Sequence, residues 1–249
     1  MSSAKYRERI TEILNNIWTT QADNIDKGAA LMAATIADAG LVHLFGSGHS
    51  VLPVQDIFPR YGSYPGFRPL MDARLMWTNV IGSGGAKGLL WLERREGYAA
   101  VLFENEPIRA GDVMLVFSHG GLNAAAVEVA LESHKRGLKV VAVTSTDNYR
   151  RREATHSSGK KLADVADIVI DNCCPAVDAL VDIAGWKAPV AASSTVAAVT
   201  IAMALVAQVA AELAKRGVQR KVFVSPNVPG ISADNNDQVY LDYERSLKR

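Results

Sequence analysis

The pattern of apolar positions changes after about forty residues, from helical spacing to short continuous runs. In the first segment Ile10, Ile13 and Ile17 lie three and four residues apart, a spacing typical of one face of an α-helix. We therefore predict one long helix, or two, from about Ala4 to Ala39. Gly40 follows, and glycine commonly ends a helix because it adopts a left-handed conformation without strain.

Short apolar runs then alternate with helical patterns along the rest of the chain. Continuous runs suit strands that are buried on both faces. The predicted strands are Leu41–Phe45, Val113–Phe117, Val140–Thr144 and Ile168–Ile170. The predicted helices are about Val51–Phe58, Gly84–Tyr98, Ala124–Arg136, Ser193–Gly217 and Val239–Leu247. Such alternation indicates parallel βαβ units, and hence an α/β fold with three α/β/α layers.

The segment from about 59 to 110 breaks this alternation, since it contains several prolines and glycines. We interpret it as an insertion, with the helix near 84–98 and an extra strand at Ala99–Phe103. A last strand is expected at Val222–Val224. The predicted organisation is an N-terminal helical extension (1–40), an α/β domain (41–230) that contains the insertion, and a C-terminal tail helix (231–249).

Two loops of similar design follow predicted strands and precede predicted helices. The first is Gly46-Ser47-Gly48-His49-Ser50 and the second is Ser118-His119-Gly120-Gly121-Leu122-Asn123. Backbone N–H groups at a helix N-terminus, together with hydroxyl groups, favour an anion. The first loop differs from the dinucleotide fingerprint GxGxxG, because Val51 stands in place of the third glycine. Two such loops in one sheet predict a pocket for a small anionic ligand.

Further polar residues extend the predicted pocket. Ser193-Ser194-Thr195 opens the Ala-rich helix, either as a plain helix cap or as part of the site. Arg60 could neutralise an anion. The complete set of predicted substrate-binding residues is Ser47, Gly48, Ser50, Arg60, Ser118, His119, Gly120, Gly121, Asn123, Ser193, Ser194 and Thr195.

Composition restricts the classes of partner and the compartment. The chain has 249 residues, 49% of them hydrophobic, and a net charge of +1, so we expect neither nucleic-acid nor membrane binding. Cys173 and Cys174 are adjacent and cannot easily pair, which fits a reducing cytoplasm. The N-terminus lacks a signal-peptide pattern. The apolar stretch Val196–Leu213 is expected to be a buried or subunit-interface helix, because alanine drives membrane insertion only weakly.

The two loops, Ser193-Ser194-Thr195 and the strand Gly137–Ser145 together resemble the sugar isomerase (SIS) domain family of phosphosugar isomerases and phosphosugar-binding proteins. The stretch 156–172 resembles a bacterial, phosphosugar isomerase-like branch of that family. The resemblance covers nearly the whole chain. It implies a flavodoxin-like five-stranded parallel sheet between helices, a homodimer with shared active sites, and a sugar-phosphate ligand.

The second loop departs from that family's pattern, which reads Ser-x-Ser-Gly-x-Thr. Gly120 replaces the second serine and Asn123 replaces the threonine, so two hydroxyls that usually hold phosphate are missing. Ser118 matches, and His119 adds a donor or a positive charge. We therefore hypothesise a sugar that carries a tetrahedral oxyanion, either phosphate or another group such as sulfonate.

Isomerisation of such a sugar needs a base that moves a proton between neighbouring carbons. Glu93 and Glu96 lie on one face of the predicted helix. The predicted acid–base residues are Asp56, Glu93, Glu96, His49 and His156, although each carboxylate could instead be a surface charge and His156 could serve only loop hydrogen bonding. The histidines lack metal-ligand spacing, so no metal is expected, and no cofactor is implied.

The resulting hypothesis is a metal-independent aldose–ketose isomerase that acts on an anionic sugar through an enediol. Two alternatives remain open. One is a non-catalytic sugar-phosphate sensor, and the other is an ether lyase acting on a phosphorylated amino sugar. Fold alone does not choose between them.

Overall fold

A five-stranded parallel sheet forms the centre of the molecule, in a computed structural model that describes residues 1–225 and 228–248. Its strand order is β2-β1-β3-β4-β5, and every neighbouring pair is parallel. A separate antiparallel pair, β6 and β7, precedes the long Ala-rich helix. The strands are β1 (Val42–Gly46), β2 (Phe67–Pro69), β3 (Val113–Phe117), β4 (Lys139–Thr144), β5 (Ile168–Asp171), β6 (Ala179–Val181) and β7 (Val190–Ala192).

Helices cover both faces of the sheet, which confirms the predicted three-layer α/β/α fold. Along β3, Leu115 packs into the core on one face, whereas Met114 and Val116 pack into the core on the other. The alternation buries the strand on both sides and explains its continuous apolar run. The helices are α1 (Ser2–Thr20), α2 (Ala22–Ala37), α3 (Val51–Ile57), α4 (Ala86–Leu92), α5 (Tyr98–Leu102), α6 (Ala124–Lys135), α7 (Thr146–Arg151), α8 (Leu162–Val165), α9 (Ser194–Lys215) and α10 (Asn235–Leu247).

The Ala-rich helix α9 packs in the first of these two cores. Its residues Ile201, Leu205 and Val209 are buried with side chains of α2 and of the sheet. By length and apolar composition, it is the one helix among the described residues that could cross a membrane. Its contacts with α2 and α3 are those of a core helix.

The segment 59–110 contributes more to the sheet than an insertion would. It contains β2, the edge strand that pairs with β1, which the apolar pattern did not reveal because the strand is short and ends at Pro69. The strand predicted at Ala99–Phe103 is wrong, since these residues lie in and just after α5. The predicted strand Val222–Val224 is also wrong. There Phe223 exchanges backbone hydrogen bonds with the loop at residues 62 and 63 and joins no sheet.

The long helix predicted at 84–98 is divided into α4 and α5. Gly97 lies between them with a φ of 89°, a left-handed conformation that ends a regular helix. The chain therefore turns between Glu93 and Gly97. As a result, Glu93 and Glu96 do not share one helix face and point to different neighbours.

Candidate functional site

The first loop turns tightly at the carboxyl end of β1. A Cβ atom on Gly46 would lie 2.1 Å from the backbone oxygen of Ser50, so only glycine fits there. Residues Gly48–Ser50 form a 3-10 turn, and α3 follows at once. The Ser50 hydroxyl makes no capping hydrogen bond to α3, which leaves it for a ligand.

The second loop has a similarly constrained geometry at the carboxyl end of β3. Gly121 has a φ of 61°, and a Cβ atom on it would lie 2.8 Å from Oγ1 of Thr144. The Ser118 hydroxyl oxygen accepts the backbone N–H of Gly121 at 3.1 Å, which leaves the hydroxyl proton for a ligand. A Cβ atom on Gly120, in contrast, would meet no heavy atom closer than 4.0 Å. The loop therefore has room for a side chain at this position.

Asn172 orients the ring of His119. The side-chain oxygen of Asn172 accepts the backbone N–H of Cys174 at 3.0 Å, so its amide NH2 group faces Nδ1 of His119 at 3.2 Å. Nδ1 therefore acts as an acceptor, and the ring proton of neutral His119 resides on Nε2. Nε2 is buried and has no partner among the described residues. The ring can thus donate a hydrogen bond to a ligand.

Asp178 organises the third predicted segment. Its carboxylate accepts hydrogen bonds from the backbone N–H groups of Ser193 and Ser194 and from the Ser194 hydroxyl, at 2.7 to 2.9 Å, and the Ser193 hydroxyl donates to the backbone oxygen of Asp178 at 2.8 Å. Burial alone would raise the pKa of Asp178, but these hydrogen bonds and the nearby His119 hold that pKa below its ordinary value. The two serines are therefore occupied in shaping the loop, and Thr195 is the member of the segment whose hydroxyl bonds to none of the other described residues.

The three segments meet around a small cavity of about 20 Å³ at the carboxyl ends of the strands. Ligands of open parallel sheets bind at this edge. The volume holds roughly one water molecule, so it suits a single small group rather than a whole sugar. Its lining consists of His49, Ser50, Phe117, Ser118, His119, Val143, Asn172, Ser194, Thr195 and Ala198.

Glu93 is a buried carboxylate attached to the first loop. Its side chain is in the protein interior, with 5% of the residue exposed, and it accepts the hydroxyl proton of Ser47 at 2.7 Å. Burial raises the pKa of Glu93, and the bond from Ser47 and the charge of Arg94 offset only part of that rise. A carboxylate whose pKa is raised in this way is suited to proton transfer.

Two of the other predicted residues, Asp56 and Arg60, pair with each other. Arg60 contacts Asp56 at 2.9 Å, one turn apart at the end of α3. The guanidinium is half exposed, and its nearest charge is this carboxylate. Neither Asp56 nor Arg60 lines the cavity between the two loops and Thr195.

Glu96 and His156 meet on the far side of the second loop, together with Glu128 of α6. Nε2 of His156 lies 3.8 Å from a carboxylate oxygen of Glu96 and 3.6 Å from one of Glu128. Hydrogen bonds from the side chain and backbone of Ser157 lower the pKa of Glu96. These residues do not line the cavity.

Of the remaining predicted residues, Gly48 and His49 lie under Trp77, whose ring meets the His49 ring edge-on at 4.7 Å between centroids. Asn123 precedes α6 and makes no side-chain capping bond. Sequence reasoning missed Asn172 and Asp178. Asn172 directly follows β5, so its place at a strand end was the available signal, whereas Asp178 lies in an irregular segment without one.

The chain matches known proteins over most of its length. The SIS domain family matches residues 5–145, more than half of the chain. A UPF0309 protein of Listeria innocua is 32% identical over 237 residues, covering 95% of this chain and 93% of that protein. A UPF0309 protein of Streptomyces avermitilis is 33% identical over 249 residues, covering 98% and 97%.

Two solved structures share the fold. The phosphoheptose isomerase GmhA of Neisseria gonorrhoeae superposes with a TM-score of 0.58 at 16% identity, over 84% of this chain and 97% of that one. A phosphoheptose isomerase of Francisella tularensis gives 0.55 at 16% identity, over 84% and 98%. The fold thus occurs in sugar-phosphate isomerases, and the family match, the relatives and the strand-end loops agree that this chain belongs to the SIS domain family.

Proposed function

We propose that this protein is an aldose–ketose isomerase that acts on an anionic sugar. The observation that carries the proposal is the buried carboxylate of Glu93, which is attached to the first loop through Ser47. Burial raises its pKa, which makes this carboxylate a stronger base than an exposed one. The phosphoheptose isomerases of similar fold support the same class of reaction.

In the proposed reaction, the carboxylate of Glu93 removes the proton from C2 of the open-chain aldose. The C1–C2 double bond of the enediol forms as the carbonyl oxygen takes a proton from a donor, for which the exposed His49 is the candidate. Glu93 then returns its proton to C1 while the hydroxyl on C2 gives its proton to the deprotonated donor. The sum is an isomerisation without gain or loss of atoms.

The anionic group of the sugar is proposed to bind between the two loops, held by Ser50, Ser118 and Thr195. The small volume of the cavity admits one oxygen of the anionic group, with the rest of that group and the sugar carbons outside it. Because Gly120 and Asn123 supply no hydroxyl, fewer donors are available than a phosphate dianion can use. A monoanionic group such as a sulfonate is therefore as suitable as phosphate.

The protein is proposed to be a cytoplasmic homodimer that associates through α1 and α9. Less than half of the apolar window in α9 is buried within the chain, and Trp18 of α1 is 48% exposed, so both helices retain apolar surface for a second copy. The free thiols of Cys173 and Cys174 fit a reducing compartment. Light scattering during size-exclusion chromatography measures the oligomeric state directly.

The experiment that tests the activity is incubation in heavy water with hexose and pentose phosphates and with sulfonated sugars. Deuterium incorporation next to the carbonyl group, with formation of the ketose, is expected for at least one anionic sugar. Tight binding without exchange or turnover would favour the sensor, and release of an ether substituent would favour the lyase. Equal binding of neutral and anionic sugars would overturn the oxyanion requirement.

A further inference from the structure

Three potential metal ligands from separate segments meet beside the second loop. His156 comes from the loop after α7, Glu96 from the turn between α4 and α5, and Glu128 from α6. One ligand atom from each lies within 4.8 Å of the others. The hydroxyl of Thr155 donates to the backbone oxygen of Leu122 at 2.8 Å, which fixes the cluster next to the loop but outside the cavity.

The distances around His156 do not correspond to hydrogen bonds. Its side chain is 7% exposed, and its Nε2 atom is 3.8 Å and 3.6 Å from oxygens of Glu96 and Glu128, beyond ordinary hydrogen-bond length. Nε2 is buried and has no hydrogen-bond partner among the described residues. In a tetrahedral zinc site with bonds near 2.0–2.1 Å, neighbouring ligand atoms are about 3.4 Å apart. Nε2 is thus within a few tenths of an ångström of that separation from each carboxylate oxygen. The carboxylate oxygens of Glu96 and Glu128, which lie within 4.8 Å of each other, would move closer together around a cation.

Both carboxylates are held in place by backbone donors. Glu128 accepts the N–H groups of Gly97 and Ala99 at 2.5 and 3.3 Å, and Glu96 accepts the N–H of Ser157 at 2.7 Å. Each carboxylate oxygen has a second lone pair, so these bonds do not prevent metal coordination. They are the type of surrounding hydrogen bond that orients ligands in metal sites.

The ring of His156 has a partner in either neutral tautomer. Its Nδ1 atom is 3.1 Å from the backbone nitrogen of Ser158 and 2.8 Å from the Ser158 hydroxyl oxygen. When Nε2 carries the proton, Nδ1 accepts the backbone N–H. When Nε2 binds a metal, the proton moves to Nδ1 and is donated to the hydroxyl oxygen, as in many metal-bound histidines.

We propose that Glu96, Glu128 and His156 bind one divalent transition-metal cation. Imidazole nitrogen and carboxylate oxygen are both ligands that zinc and related divalent cations accept, and the Glu96 side chain, 40% exposed, leaves a position open to water. The cation would join three segments that flank the second loop, including the turn that follows Glu93. This proposal differs from the sequence-based expectation of no metal. Its ligands are far apart in the chain, so no spacing motif could indicate them.

Calorimetric titration of the chelator-treated full-length protein with Zn²⁺ tests the proposal without any activity assay. The wild-type chain is expected to bind one equivalent. His156→Asn and Glu128→Gln are expected to weaken binding at least a hundredfold, since loss of a surrounding hydrogen bond alone costs roughly ten- to a hundredfold. Co²⁺ provides a second readout, because tetrahedral coordination gives it a strong visible absorption that both variants should lose.

His134→Asn is the matched control. His134 also lies near a carboxylate, 3.5 Å from Asp167, but it contacts only one and its Nε2 already bonds to a backbone oxygen at 2.9 Å. The His134→Asn variant should bind Zn²⁺ as the wild type does. Absence of stoichiometric binding by the wild type, or unchanged affinity in folded His156→Asn, would overturn the proposal. If circular dichroism shows that this variant is unfolded, the exposed Glu96→Gln variant decides in the same way.

Discussion

Glu93 accepts a hydrogen bond from the hydroxyl of Ser47 at 2.7 Å, although the two residues are 46 positions apart in the chain. This bond joins a carboxylate in the turn after α4 to a loop at the carboxyl end of β1. Because the carboxylate is buried and its pKa is raised, retaining it there costs stability. Such a cost is typical of a functional site.

Replacement of Glu93 by glutamine should separate activity from stability. We expect kcat to fall by roughly 10²–10⁴, the usual contribution of a general base. The free energy of unfolding at neutral pH should stay the same or rise, because a neutral amide is easier to bury than a carboxylate. Turnover followed by deuterium exchange measures kcat, and chemical denaturation measures the free energy of unfolding. Glu104→Gln, at an exposed position, is the control and should change neither; a Glu93→Gln variant with normal turnover would exclude Glu93 as the base.

The pH dependence of activity should reflect the raised pKa of Glu93. The base acts when deprotonated, so kcat/KM should increase with pH, with a midpoint above the ordinary glutamate pKa of 4.5. The Ser47 bond lowers this pKa, so Ser47→Ala should move the midpoint further upward. The free energy of unfolding depends on pH in the opposite sense. The folded state binds the proton of Glu93 more tightly than the unfolded state does, so the stabilisation from this proton is complete at low pH and is lost as pH rises through the folded pKa. A midpoint unaffected by Ser47→Ala would contradict the assignment.

Gly120→Ser should change the preference between anions. The backbone has room for the side chain, since an added Cβ would be 4.0 Å from its nearest neighbour. A hydrogen bond from the added serine hydroxyl to a charged ligand group contributes about 1.5–3 kcal/mol to binding. Phosphorylated sugars should therefore bind about ten- to a hundredfold more tightly. Competition binding with phosphorylated and sulfonated sugars measures the change. Equal gains for both anions would show that this position does not discriminate between them.

Asp178→Asn should loosen the entry to α9. The carboxylate accepts hydrogen bonds from both Ser193 and Ser194, and asparagine cannot accept them all. We expect a loss of about 2 kcal/mol, or roughly 4–8 °C in Tm for a chain of this size. Because the folded pKa is lowered, this contribution is present above the unfolded pKa and disappears as pH falls. Thermal melts from neutral to acidic pH should therefore converge for wild type and variant, whereas exposed Asp182→Asn should follow the wild type.

Much of the candidate site could be predicted from the chain because its loops follow buried strands. The runs that form β1 and β3 are continuously apolar, and parallel strands bring the residues that follow them to one edge of the sheet. In the structure Ser50, Ser118 and His119 line one cavity, where that reasoning predicts them. It could not show that Asn172 sets the tautomer of His119, because that depends on a hydrogen bond between side chains 53 residues apart.

The sequence by itself determined the α/β class, the two Gly-rich loops and the likeness to one family, since these depend on local periodicity and on short motifs. Only the tertiary structure decided which carboxylates face which partners. The break at Gly97 sends Glu93 to Ser47 and Glu96 to His156 and Ser157, although a continuous helix would have placed both on one face. Burial and contacts between distant segments determine the chemistry of a carboxylate, and neither can be read from its neighbours in the chain.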